Sequence, residues 1–145
     1  MSITTAMCTS FKGELLGGTH DLDTHTLKLA LIKASPSGTY GAATTNYSDV
    51  TGNSDESSGT NYTAGGQNLD GATISTTGTT AIVDFTDEVF SNVTTSASGC
   101  IIYNSSASTK AICVIDFGGT VSATAGDLTI EFPTADASNA VVRIA

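Results

Sequence analysis

His20 and His25 are the only histidines in the chain, and they bracket Asp21 and Asp23 in the stretch HDLDTH. Imidazoles beside carboxylates are the raw material of a zinc centre or of general acid–base catalysis. The spacing supports neither. A catalytic zinc site needs three ligands on a rigid scaffold, and the two histidines lie five apart, the wrong interval for one helix face. In an extended run they would point to opposite sides. No HExxH follows, and DLDTHTLKL has too few oxygen ligands and no closing Glu for a calcium loop. We therefore read HDLDTH as a solvated turn leading into a strand.

Other chemistry is equally thin. The chain has no G-x-S-x-G, no GK[ST] loop and no local Cys–His pairing. The glycines of TAGG and DFGG do not open a helix, so their amides would not converge on a phosphate. DFG at 116–118 lacks the other kinase elements and reads as a turn at a strand end. The carboxylate pair Asp87–Glu88 reads as a solvated edge. Cys8, Cys100 and Cys113 are an odd number at spacings that match no zinc or redox pattern. The last two sit in apolar runs and are expected to be buried; a Cys100–Cys113 disulfide is allowed but not required. No catalytic residue, cofactor or metal ligand is assigned.

The body that would carry any such site reads as β structure. Thr, Ser, Gly, Ala and Asn dominate the 145 residues, Trp is absent and Pro occurs twice. Thr with Val and Ile favours strands, and Gly, Ser and Asn supply turns. This length suits one domain with its own core. The net charge of -9 with five scattered Lys and Arg argues against a nucleic-acid partner, because phosphate binding needs clustered cations. No apolar run reaches membrane-spanning length and the first residues lack a signal-peptide pattern, so we expect a soluble protein made in a cytoplasm, with no membrane partner.

Along the chain, Ile3, Met7, Phe11 and Leu15 recur at i+4 with Leu16 beside them, and Gly17–Gly18 follows as a stop. That predicts an amphipathic helix or arm over residues 1–18. A single β-sandwich domain is expected over 19–145. Its first strand is THTLKLALIKA, with Leu27, Leu29 and Leu31 on one face. A long polar loop at 35–66 carries Tyr40, Tyr47 and Tyr62, and TNY occurs in it twice. Such a span needs a job in a compact domain. Short strands then follow at intervals of roughly ten residues. LDGATIS, TAIVDFT, FSNV, GCIIYN and KAICVIDFG lead to DLTIEFP, whose Leu128, Ile130 and Phe132 share a face. AVVRIA at the end is expected to be tied into a sheet. The fold class is mainly β: an antiparallel β-sandwich or jelly-roll-like body with a short N-terminal helix.

The stretches ITTAMCTSFKGELLGGTHDL, TLKLALIKAS, SGTNYTAGGQNL, GTTAIVDFTD, GCIIYNSS, VIDFGG and IEFPTADASNAVVRIA together resemble a family of small virion proteins of tailed bacteriophages. The resemblance covers nearly the whole chain and is weakest between Ser35 and Ser58. It implies a structural virion component, made and assembled in the host bacterial cytoplasm, with no catalytic residues to carry over. Within that class the expectation is a capsid decoration or cement protein whose partner is the major capsid protein or another virion protein. The alternative is a neck, tail or fibre-associated protein that contacts the host, with a host glycan as ligand. A lattice rewards multivalency, so a homo-oligomer, with a trimer favoured, is expected. The candidate contact residues are Ile3, Met7, Phe11, Leu15 and Leu16, together with Tyr40, Tyr47 and Tyr62. A small hydrolase using His20 or His25 is the reading we set aside.

Overall fold

Alternating apolar and polar residues with frequent Thr, Val and Ile leave the chain little choice but strands, and strands take up 47% of it against 9% in helices. The computed structural model describes residues 2–145. In chain order the elements are β1 (Ser2–Ile3), β2 (Ala6–Met7), α1 (Thr9–Leu16), β3 (Leu27–Ile32), β4 (Thr39–Tyr40), α2 (Ser48–Gly52) and β5 (Gln67–Asn68). There follow β6 (Thr73–Thr77), β7 (Thr80–Asp84), β8 (Glu88–Asn104), β9 (Lys110–Ile130) and β10 (Val142–Ile144).

One antiparallel sheet has the order β2-β9-β8-β3-β5, a second has β10-β7-β6, and β1 and β4 form a short parallel pair. Neither larger sheet closes into a barrel. Val83 and Val142 from the smaller sheet, with Phe85 just after β7, join Leu29, Ile101, Ile112 and Phe90 from the larger one in a single apolar cluster, which is a sandwich-like arrangement. Five of the six residues of β3 are buried, because the strand lies between β8 and β5 and is covered on both faces. The terminal run is tied down as expected: β10 pairs with β7 through Val142 opposite Val83.

Two expectations change in the larger sheet. FSNV and GCIIYN are not separate strands but parts of β8, and KAICVIDFG and the first four residues of DLTIEFP are parts of β9, which ends at Ile130. Bulges let these strands run on where the pattern breaks. Four residues of β9, Phe117–Thr120, lie between the partners of Ala97 and Gly99, with Gly118 at φ 76. Asn92 and Ala125 also have positive φ, and the Asn92 amide donates to Asp127 Oδ1 at 2.9 Å. The SSAST connection between β8 and β9 does form a hairpin, and Leu128 and Ile130 share its buried face.

The N-terminal segment also departs from its stripe. Only Thr9–Leu16 is helical, while Ser2–Ile3 and Ala6–Met7 are extended. β-branched Thr4 and Thr5 sit poorly in a helix, and the chain has sheet edges to pair with instead. Met7 lies opposite Cys113, and the amides of Thr4 and Cys8 donate to the carbonyls of Tyr40 and Ile112. The helix stops at the glycines as expected. Gly18 is left-handed at φ 79, and the amides of Gly18 and Thr19 donate to the carbonyls of Leu15 and Glu14, closing a Schellman motif. The segment is no detached arm: Cys8 and Phe11 are fully buried in the core of the body.

Candidate functional site

HDLDTH is a turn, but a wrapped one. Asp21 Oδ1 accepts the amides of Asp23 and Thr24 at 3.0 and 3.1 Å, and the His25 amide donates to the Asp21 carbonyl. This Asx turn, rather than an extended run, sets where the imidazoles point. Far from facing opposite sides, His20 Nδ1 and His25 Nδ1 both meet Asn104 Nδ2, at 3.0 and 2.9 Å. Asn104 ends β8, is fully buried, and accepts the Ser106 amide on its Oδ1. Its two amide hydrogens can serve one histidine each, an arrangement that needs both Nδ1 atoms to be acceptors. The Asp21 amide adds a second donor to His25 Nδ1 at 3.3 Å.

On the far side, His20 Nε2 lies 3.8 Å from Glu14 Oε2, which lies 3.1 Å from Lys110 Nζ. Burial lowers the pKa of His20; Glu14 opposes that shift, while His25 and Lys110 reinforce it. The cluster thus holds a neutral imidazole against the helix. Among the described residues no three or more His, Cys, Asp or Glu side chains are placed to hold a metal ion. All three cysteines are free and buried, and burial pushes Cys8 up to about 11 and Cys113 up to about 12. Thiols held protonated in this way are packing groups at neutral pH.

The 35–66 segment is organised by two carboxylates. Asp55, fully buried, accepts the Ser37 amide, the Gly38 amide and the Tyr40 hydroxyl at 2.9, 2.7 and 2.6 Å, and it pairs with Lys33 at 2.9 Å. Burial alone would raise its pKa, but these donors outweigh it and hold the carboxyl well below the usual range. Glu56 receives the hydroxyls of both TNY tyrosines, Tyr47 on Oε2 and Tyr62 on Oε1, and the Gly65 amide. Tyr47 stacks on Tyr103 with ring centroids 4.4 Å apart, and Tyr103 donates to the Gly65 carbonyl. Burial, then Asp55, raises Tyr40 to about 12, and burial with Glu56 does the same for Tyr103.

These contacts place the eight candidate contact residues. Tyr40 and Phe11 are buried, and Ile3, Met7, Leu15, Tyr47 and Tyr62 are half-buried against the core. Leu16 alone stands in solvent, 91% exposed. Ile74 at 52% and Ile144 at 48% are the next most exposed large apolar side chains, and both line the cleft that runs from Leu15 to β7 and β10. The Asp87–Glu88 pair is a solvated edge only at Asp87, which is exposed. Glu88 is buried, which raises its pKa with help from Asp70, and Asp87 Oδ1 accepts the Phe132 amide.

Asn104, Asp55 and Glu56 organise the polar interior, and the sequence reading selected none of them. Asp55 and Glu56 lie in NSDESSG, a stretch with the composition of an exposed turn. The doubled TNY was the one visible trace of the Glu56 node. Comparison with protein-family models, curated proteins and solved structures finds no match for this chain. No helix among the described residues is long and apolar enough to cross a membrane.

Proposed function

We propose that the protein is a non-enzymatic structural component of a bacteriophage virion, a capsid decoration protein that binds the assembled major-capsid lattice and stabilises the head. One observation carries the reading. Most side chains with chemical potential are spent on one another inside the fold, whereas Leu16, the most exposed of the large apolar side chains, stands in solvent. Asp55 and Glu56 are consumed by the segment they hold, and Asn104 takes Nδ1 of both histidines, with buried His20 Nε2 left without a hydrogen-bond partner. Leu16, Ile74 and Ile144, by contrast, stand at grooves along α1 and the smaller sheet. Apolar groups left this exposed suit a protein that ends its life docked on others. The near full-length resemblance to small virion proteins supplies the class of partner.

The net charge of -9 fits a chain that resists nonspecific aggregation before it meets a lattice. The test is co-sedimentation of the purified protein with particles assembled from the major capsid protein alone. Saturable binding to particles, absent with unassembled subunits, is the expected result. Binding to isolated tails or host cells instead would move the protein to the neck, tail or fibres.

A further inference from the structure

Two apolar grooves lie beside the C-terminal segment, and they carry opposite charge. One, of about 540 Å³, lies between β9 and the residues that follow it, with Thr5 at its side. Phe117, Val121, Leu128 and Phe132 line it, Asp127 and Glu131 are its charged residues, and no Lys or Arg takes part. The other, of about 440 Å³, lies between α1 and β10, lined by Met7, Leu15, Leu16 and Ile144, with Lys12 and Arg143 as its charged side chains.

The charge pattern selects an occupant. Of five cationic residues, Lys33 and Lys110 are committed to Asp55 and Glu14. Lys12 is exposed and in no ion pair among the described residues, and it precedes Leu16 by one helical turn on the same face. The tip of α1 therefore presents a protruding leucine with a cation beside it. The groove by β9 presents an apolar floor with carboxylates beside it. Each is the kind of surface that the other lacks, and one chain carries both. Residues 140–141 line the acidic groove and 143–145 the basic one, so the two lie along one strip.

We propose that the α1 tip of one copy docks in the Asp127–Glu131 groove of a second copy. Leu16 enters between Phe117, Val121 and Phe132, and Lys12 meets Glu131. Apolar contact supplies most of the attraction, and the charges fix orientation and keep two acidic molecules from repelling at the point of contact. Repetition of this contact closes either a two-fold pair or a ring.

Sedimentation velocity of the full chain over a range of concentrations and salt tests the inference. Wild type should self-associate, more weakly at high salt. Leu16→Asp should weaken association about tenfold or more, and Lys12→Glu and Glu131→Lys should each weaken it. The double variant Lys12→Glu/Glu131→Lys should recover it, because the pair is restored with its signs exchanged. All three positions are exposed, so unchanged near-UV circular dichroism is expected and will show that the fold is intact. A wild type that stays monomeric, association indifferent to Leu16→Asp, or a double variant no better than the singles would each overturn the proposal.

Discussion

Asp55 is the residue on which the long polar segment turns. Replacing it with Ala removes the acceptor of the Ser37 and Gly38 amides and of the Tyr40 hydroxyl, and leaves Lys33 unpaired. Lys33 is partly solvated, so the main loss comes from donors left without their acceptor, the buried Tyr40 hydroxyl above all, and urea unfolding of Asp55→Ala should show a loss of about 1–3 kcal/mol or more. Gly66 is a second fixed point. It has φ 75, and a Cβ there would run into the Leu29 carbonyl oxygen, whereas Gly118, at φ 76, faces open space. Gly66→Ala should therefore unfold at clearly lower urea than Gly118→Ala, whose cost is about 1–2 kcal/mol from backbone strain alone. These residues were hard to find in the sequence for a physical reason. An Asp in NSDESSG looks solvated until strands from elsewhere in the chain surround it. The histidines were visible by type, but their partner Asn104 lies 84 residues from His20 and only the fold brings them together.

At the scale of elements, α1 divides its work between two side chains. Phe11 is fully buried with its ring centroid 4.9 Å from that of His20, while Leu16 is 91% exposed. Phe11→Ala should cost about 3–5 kcal/mol in thermal or urea unfolding, and Leu16→Asp should leave the unfolding midpoint within about 0.5 kcal/mol of wild type. That contrast separates a helix docked on its own body from a free arm. Strand patterns were legible wherever alternation was clean, as in Leu27–Ile32, Thr80–Asp84 and Asp127–Ile130. They failed where a bulge changes the period, because a left-handed Asn92 or Gly118 shifts the alternation without ending the strand. The first residues misled for a related reason. An i+4 apolar stripe is equally satisfied by two short strands and a helix that all pack on one core.

For the whole molecule, stability should fall in acid. Burial keeps His20 below the ordinary value of 6.5, so the unfolded chain takes up that proton more readily than the fold does. Stability is then full above 6.5 and is lost as pH falls below it. Asp55 adds a second loss, as pH falls through 3.8 towards its depressed folded value. Glu88 acts in the opposite sense. Burial raises it above 4.5, so its ionisation weakens the fold as pH rises past that value, and Glu88→Gln should raise the unfolding midpoint at neutral pH. Urea titrations at a series of pH values check all three signs. The pairing of polar groups inside the fold, with Leu16, Ile74 and Ile144 left exposed, underlies the functional reading. Copy number per purified virion, measured by quantitative mass spectrometry against the major capsid protein, tests it most directly. The account predicts a number comparable with that of the major capsid protein; absence from particles, or the few copies of a neck, tail or fibre component, would contradict it.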